Sequence, residues 1–330
     1  MYVIDMIEFH EDGIPLSHIH YSFRPIITTL YKESIVAETK DGPIEVKFER
    51  MNLNVPKYLS KRVEEVWEEK KRSGQRLFNG IIANLMKYRC VNNVVEWEEG
   101  LTDFKSLTFL RSGGLSDLNE RYRSYILRRV APTAVGAITE TGDNKLLIGV
   151  RGRSLAMGGK MMFFPCGHPR YIFEAEYLEV PTQALARQFV TEANFPLYSS
   201  RIDEVYGPIE NISVIGLVRG IGSIINRSGS WNPLIIFHIE TDWNEEQHRN
   251  AWKTLADKWE HEKIFFISTD EDKFTNFITR HVENFNDNGI GEVLVYGRFK
   301  FGDDWYSKIC RELVREHGLI LTELPGFYSC

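Results

Sequence analysis

Residues 161–197 hold the side chains best suited to chemistry. Glu179 precedes a run of helical periodicity that begins near Pro181. At about 100° per residue, Leu185, Ala186, Phe189, Val190 and Ala193 share one side of that helix. Arg187, Gln188, Thr191 and Glu192, with Ala184, share the other. The apolar side is expected to pack on a core, leaving Glu192 and Gln188 facing the preceding turn Phe164-Pro165-Cys166-Gly167-His168-Pro169. Acids gathered on one helix face suit Mg²⁺, which favours carboxylates, water and phosphate oxygens. An ordinary solvated glutamate is the plain alternative for Glu192. A second group, Glu260-His261-Glu262, stands just before the apolar run Lys263 to Ser268.

This arrangement of strand, loop and acid-bearing helix resembles the signature of the Nudix hydrolases. That signature is a glycine, a glutamate five residues later, and after seven more the run Arg-Glu-apolar-any-Glu-Glu-any-Gly-apolar. Glu179 stands eight residues before Arg187, and residues 187–195 (RQFVTEANF) fill the run. Gln188 and Thr191 replace two glutamates, Asn194 replaces the glycine, and more than five residues separate Gly167 from Glu179. Within the family, the likeness is nearest to UDP-glucose and UDP-galactose hydrolases with an atypical box. It is carried by RLFNG (76–80), LTDFK (101–105), CGHP (166–169), TEANFPL (191–197) and HEKIFFIST (261–269).

The resemblance implies metal-dependent hydrolysis of a nucleoside diphosphate linked to another group, in first place a UDP-sugar giving UMP and a sugar 1-phosphate. Mg²⁺ or Mn²⁺ is the implied cofactor, with Glu192 as principal ligand. Gln188 would assist through its amide oxygen, and Glu179 would either add to the metal shell or pair with Arg187 to tie loop to helix. Gly167 would let the turn approach the metal, and His168 would touch phosphate or be satisfied by backbone. Arg151 and Arg153, after LLIGV, match the basic residues that follow the family's second strand, and each would either bind phosphate or stand as a solvated arginine. Glu262 is the first candidate for the general base, with Glu260 its alternate. The competing reading is a degenerate domain that binds a nucleotide or nucleotide-sugar as a sensor, since two carboxylates are missing.

Around these residues the elements fall into two parts. Residues 1–129 alternate short β-branched runs with turns such as Glu11-Asp12-Gly13 and Asp41-Gly42-Pro43, and carry a helix over Lys57 to Arg72. This predicts a small α+β domain. Residues 130–330 read as a Nudix-type α/β/α sandwich with a mixed sheet. The strands are TAVGAIT, LLIGV, MMFF, SVIGLVRGI, PLIIFHIE and KIFFIS, with a hairpin turn at Gly142-Asp143-Asn144. Helices are expected near Glu245 to Trp259 and over Asp270 to Glu283. The apolar run VLVYGRF and a helix from Asp303 to His317 complete the domain.

Composition narrows the classes further. The chain has 330 residues, 43% hydrophobic and 26% charged, enough for a substantial core. A net charge of −6 gives no electrostatic footprint for nucleic acid or an anionic membrane. The four cysteines, Cys90, Cys166, Cys310 and Cys330, form no metal-ligand spacing. No apolar run reaches membrane-spanning length and no leader pattern opens the chain, so a cytoplasmic location is expected. The expected partner is a small nucleoside diphosphate derivative. A third reading gives residues 1–125 a role in assembly, a homodimer included.

Overall fold

The structure is a computed structural model that describes residues 3–7, 20–21, 32–39, 42–52, 60–75, 77–91, 94–112, 132–155, 158–172, 177–179, 181–194, 209–221, 231–255, 260–317 and 320–322. The first part contains β1 (Val3–Ile7), β2 (His20–Tyr21), β3 (Lys32–Thr39), β4 (Gly42–Asn52), α1 (Ser60–Arg72), β5 (Ile81–Val91), β6 (Val94–Asp103) and α2 (Phe104–Arg111). Strands β7 (Ala134–Glu140), β8 (Lys145–Arg151), β9 (Met161–Phe163), β10 (Cys166–Gly167), β11 (Tyr171–Ile172) and β12 (Tyr177–Leu178) lead to α3 (Pro181–Gln188). Then follow β13 (Ile209–Ile221), β14 (Trp231–Thr241), α4 (Glu245–Lys253), β15 (His261–Ser268), α5 (Glu271–His281), α6 (Asp287–Phe301), α7 (Asp303–His317) and β16 (Ile320–Thr322). The expected boundary between residues 129 and 130 lies outside the described residues.

The first sheet runs β2-β3-β4-β6-β5, with β4 and β6 parallel. Helices α1 and α2 pack together, and their residues Val63, Trp67, Leu107 and Leu110 are buried. Helix α2 begins where the Asp103 carboxylate accepts the Ser106 amide at 2.6 Å, a side-chain N-cap.

The larger sheet runs β15-β8-β7-β14-β13-β1-β16, with β9 on β8 and β10 on β7. It is mixed: β7 and β14 are parallel, as are β1 and β16, and the other pairs are antiparallel. The fold is therefore α/β around a mixed sheet. Strand β1 belongs to this sheet although it lies within the first 129 residues. The first sheet also touches the larger unit directly, as the Ala83 amide donates to Pro169 O and the Thr133 amide to Ala83 O, both at 3.0 Å.

Both faces of the larger sheet are covered, because side chains alternate along each strand. Ala134 and Ile138 join Val293, Leu294 and Tyr296 of α6 in one core. Val135 and Ala137 between them are equally buried and point the other way, toward α3. The run VLVYGRF lies inside α6, where Val293, Leu294, Val295 and Tyr296 are all buried. A helix apolar on every side is one enclosed by protein. Its Gly297 admits the Trp305 ring of α7, which lies 2.0 Å from where a Cβ would stand. Asn144 supplies the left-handed residue of the β7–β8 turn, at φ 57°. No described helix is long and apolar enough to cross a membrane.

Candidate active site

Helix α3 does not end as a plain α-helix. Phe189–Ala193 forms a π turn, in which the Asn194 amide donates to Phe189 O and Asn194 closes the element in the left-handed region (φ 50°, ψ 39°). Such widened turns gather at functional sites. Here the turn leaves Val190 40% exposed, against the expectation that it would be buried, and carries Glu192 inward until it is 5% exposed. Thr191 is exposed, and its single hydroxyl hydrogen has two acceptors in reach, Arg187 O at 3.1 Å and Gln188 Oε1 at 3.3 Å.

Glu192 is the centre of the site. Its Oε2 accepts the Cys166 amide at 3.4 Å and lies 3.2 Å from His261 Nε2. The Glu260 carboxyl is hydrogen-bonded to it. Burial pushes both acids up to about 7, and for Glu260 the neighbouring Glu192 adds to the effect. Two carboxyls in contact cannot both ionise cheaply, so the pair retains protons near neutral pH. The His261 ring is held down to about 3 by burial and then by the nearby Arg151 charge, so it is neutral.

Glu260, the alternate of the sequence reading, therefore occupies the place expected of Glu262. Glu262 is turned to the surface, where Arg153 Nε lies 3.6 Å from its Oε2. The cause is a register shift in β15: His261 pairs with Arg151 and Lys263 with Val150, which leaves Glu262 as the extra residue of a bulge. Glu260 lies before the strand and is free of its alternation. Its carbonyl accepts the Gly152 amide at 2.9 Å, which fixes the loop beside Arg151.

The other expected residues are placed as follows. Glu179 is buried, and both its oxygens are held by Arg187, with Nε–Oε1 at 2.7 Å and Nη2–Oε2 at 2.8 Å. It also accepts the Arg170 amide at 3.0 Å, and these bonds tie loop to helix. His168 turns its ring to the chain: Nδ1 lies 2.7 Å from Thr133 O, and its own carbonyl accepts from Arg187 Nη2 at 3.0 Å. Gly167 is covered by the Gln188 amide, and Gln188 is buried there. The half-buried Arg151 donates from Nη1 to Met162 Sδ at 3.4 Å and sits close enough to bear on Glu192, Glu260 and His261. The Cys166 thiol is pushed well above its usual value by burial and by the charges of Glu292 and Glu192, so it stays protonated.

The Glu192 and Glu260 carboxyls fit a divalent cation. A cation would take the place of shared protons and allow both groups to ionise. Among the described residues a second group, Glu140, His238 and Glu240, brings ligand atoms within 4.8 Å of one another. There Lys300 Nζ already lies 3.0 and 3.1 Å from the two Glu140 oxygens, and Tyr296 donates to Oε2 at 3.1 Å. No local sequence pattern signals this network, because its members come from two strands and a helix separated by up to 160 positions.

No protein-family model matches the chain. The chain is 23% identical over 257 residues to Nudix hydrolase 9 of Arabidopsis thaliana, a match covering 69% of this chain and 79% of that protein. Among solved structures, a MutT protein from Methanosarcina mazei Go1 has a TM-score of 0.29 at 15% identity, covering 55% of this chain and 93% of its own. A bifunctional NMN adenylyltransferase/ADP ribose pyrophosphatase from Francisella tularensis, complexed with AMP and a manganese ion, has a TM-score of 0.32 at 13% identity. That match covers 58% of this chain and 48% of the other.

Proposed function

We propose that this protein is a divalent-cation-dependent hydrolase of a nucleoside diphosphate joined to a second group, with nucleotide-sugars as the first substrate class. The observation that carries the reading is the contact between the Glu192 and Glu260 carboxyls at the head of the widened helix turn. Glu192 and Glu260 would hold the cation, Mg²⁺ or Mn²⁺. A bound cation supplies Lewis-acid charge to the diphosphate.

The chain's own residues then have separable tasks. The positive charge of Arg151 lies beside the acid pair, where it can receive a phosphate. With a cation in place of the shared protons, the ionised Glu260 carboxylate would be the group that accepts a proton from an attacking water. Water adds to one phosphorus, the anhydride P–O bond breaks, and the products are a nucleoside monophosphate and a phosphorylated partner. For a UDP-sugar these are UMP and a sugar 1-phosphate.

The deciding assay incubates the protein with Mg²⁺ or Mn²⁺ and a panel of UDP-sugars, ADP-ribose, NADH and nucleoside triphosphates, following mononucleotide release. Cation-dependent release that falls by about 100-fold or more in Glu192→Gln is expected. Release that survives this change intact would overturn the reading.

A second reading, a nucleotide-binding sensor, is favoured by the neutral Gln188 and Thr191 and by the burial of Glu192. Calorimetric binding of a panel member without any release would select it.

A further inference from the structure

His261 and Glu260 are consecutive, yet they approach Glu192 differently. The His261 ring lies against Gly149, where a Cβ would fall 2.4 Å from Nδ1, and against Phe164, with ring centroids 4.4 Å apart. Its side chain is 3% exposed. Nδ1 has no hydrogen-bond partner among the described residues, whereas Nε2 lies 3.2 Å from Glu192 Oε2.

A neutral imidazole has one N–H and one lone pair. Hydrogen on Nδ1 would bury an unpaired donor, which is costly, so the hydrogen belongs on Nε2. Glu192 Oε2 thus accepts two N–H groups, one from His261 and one from the Cys166 amide. Two donors on one oxygen fix the rotation of the whole carboxylate.

We propose that His261 is a positioning residue for the cation site, its Nε2–H locking the Glu192 carboxylate in the orientation that meets Glu260. The inference rests on the cation reading above and adds that His261 acts through Glu192, with no contact to substrate. Outer partners that orient metal-binding carboxylates typically matter 10- to 100-fold in metal affinity. Gly149 belongs to the same device, since only an absent side chain leaves room for the ring.

The test measures Mn²⁺ binding to the full chain by the electron paramagnetic resonance signal of the free ion. Thermal unfolding of each variant verifies that it is folded. His261→Leu, which fills the site without a donor, should weaken binding by about 10- to 100-fold. His261→Gln, whose amide nitrogen replaces Nε2, should restore most of it. Gly149→Ala leaves residue 261 intact but displaces its ring, and should reproduce the loss. Folded variants that bind Mn²⁺ as the wild type does would overturn the role of His261 alone, as would a Gln variant no better than Leu. A wild-type protein that takes up no Mn²⁺ would remove the cation reading and this inference with it.

Discussion

The side-chain amide of Gln188 lies over the Cα of Gly167, with Nε2 only 1.6 Å from where a Cβ would stand. Gly167 is absent from the glycines with positive φ, so space rather than backbone angle calls for glycine here. Gly167→Ala should displace Gln188 and cost about 1–3 kcal/mol, the usual range for overpacking. Gln188→Ala in the same chain should return part of that loss. Urea midpoints of the two single variants and the double variant would measure the coupling; simple additivity would mean that the two residues do not interact.

Glu179 and Arg187 form a two-pronged ion pair whose side chains are 7% and 19% exposed. Removing one partner strands the other, so Arg187→Met should destabilise the fold by about 3 kcal/mol. Arg187→Lys keeps the charge but loses the fork and the bond to His168 O, and should fall between wild type and Met. Denaturant unfolding of the three proteins checks the order.

Cation binding should depend on pH through the acid pair. Glu192 and Glu260 both titrate at about 7 against a usual 4.5, so each is raised in the folded chain. Below 7 a cation must displace protons, and its affinity should rise about tenfold per pH unit for each proton displaced, then level above about 8. Calorimetry in buffers of different ionisation heat would count the protons released. Affinity that is flat from pH 6 to 8 would contradict the pairing.

The same shifts set the stability of the metal-free protein. The raised acids contribute stability that is complete below pH 4.5 and lost as pH rises through about 7. His248 and His261, lowered by burial to about 4 and about 3 from 6.5, act in the opposite direction, since the folded state binds fewer protons between those values. Glu260→Gln should therefore gain stability relative to wild type as pH rises from 4.5 to 7. Paired urea titrations at both ends of that window give the comparison.

The Glu140 network should prove structural. Burial raises the Glu140 carboxyl, but hydrogen bonds from His238 and Lys300 outweigh it and hold the group at about 2. A lowered acid contributes stability that is present above 4.5 and lost as pH falls through about 2. Glu140→Gln should flatten that acid limb and leave Mn²⁺ affinity unchanged. Lost Mn²⁺ binding in this variant would move the cation site to Glu140, His238 and Glu240.

Much of the architecture was legible along the chain. The apolar and β-branched runs became β7, β8, β13, β14 and β15, and the helices expected near Glu245 and from Asp270 became α4 and α5. The burial expected of Val190 is not found, and strand register and backbone contacts set where Glu262 and His168 point. Val190 is exposed because a π turn breaks the 100° spacing on which the helix face was drawn. Glu262 points outward because a bulge interrupts strand alternation. His168 turns to Thr133 O because a half-buried ring nitrogen takes the nearest backbone partner.

Taken alone, the sequence determined much of the succession of strands and helices, offered Arg187 as one of two possible partners for Glu179, and set Glu192 near a glycine turn. These depend on local spacing and on residues near one another along the chain. Tertiary structure decided which acid meets Glu192, where the His261 ring rests, and how Glu140, His238 and Lys300 come together. Those contacts join residues 68 to 160 positions apart, and their geometry follows from strand register and from the room a missing Cβ leaves, neither of which a linear pattern contains.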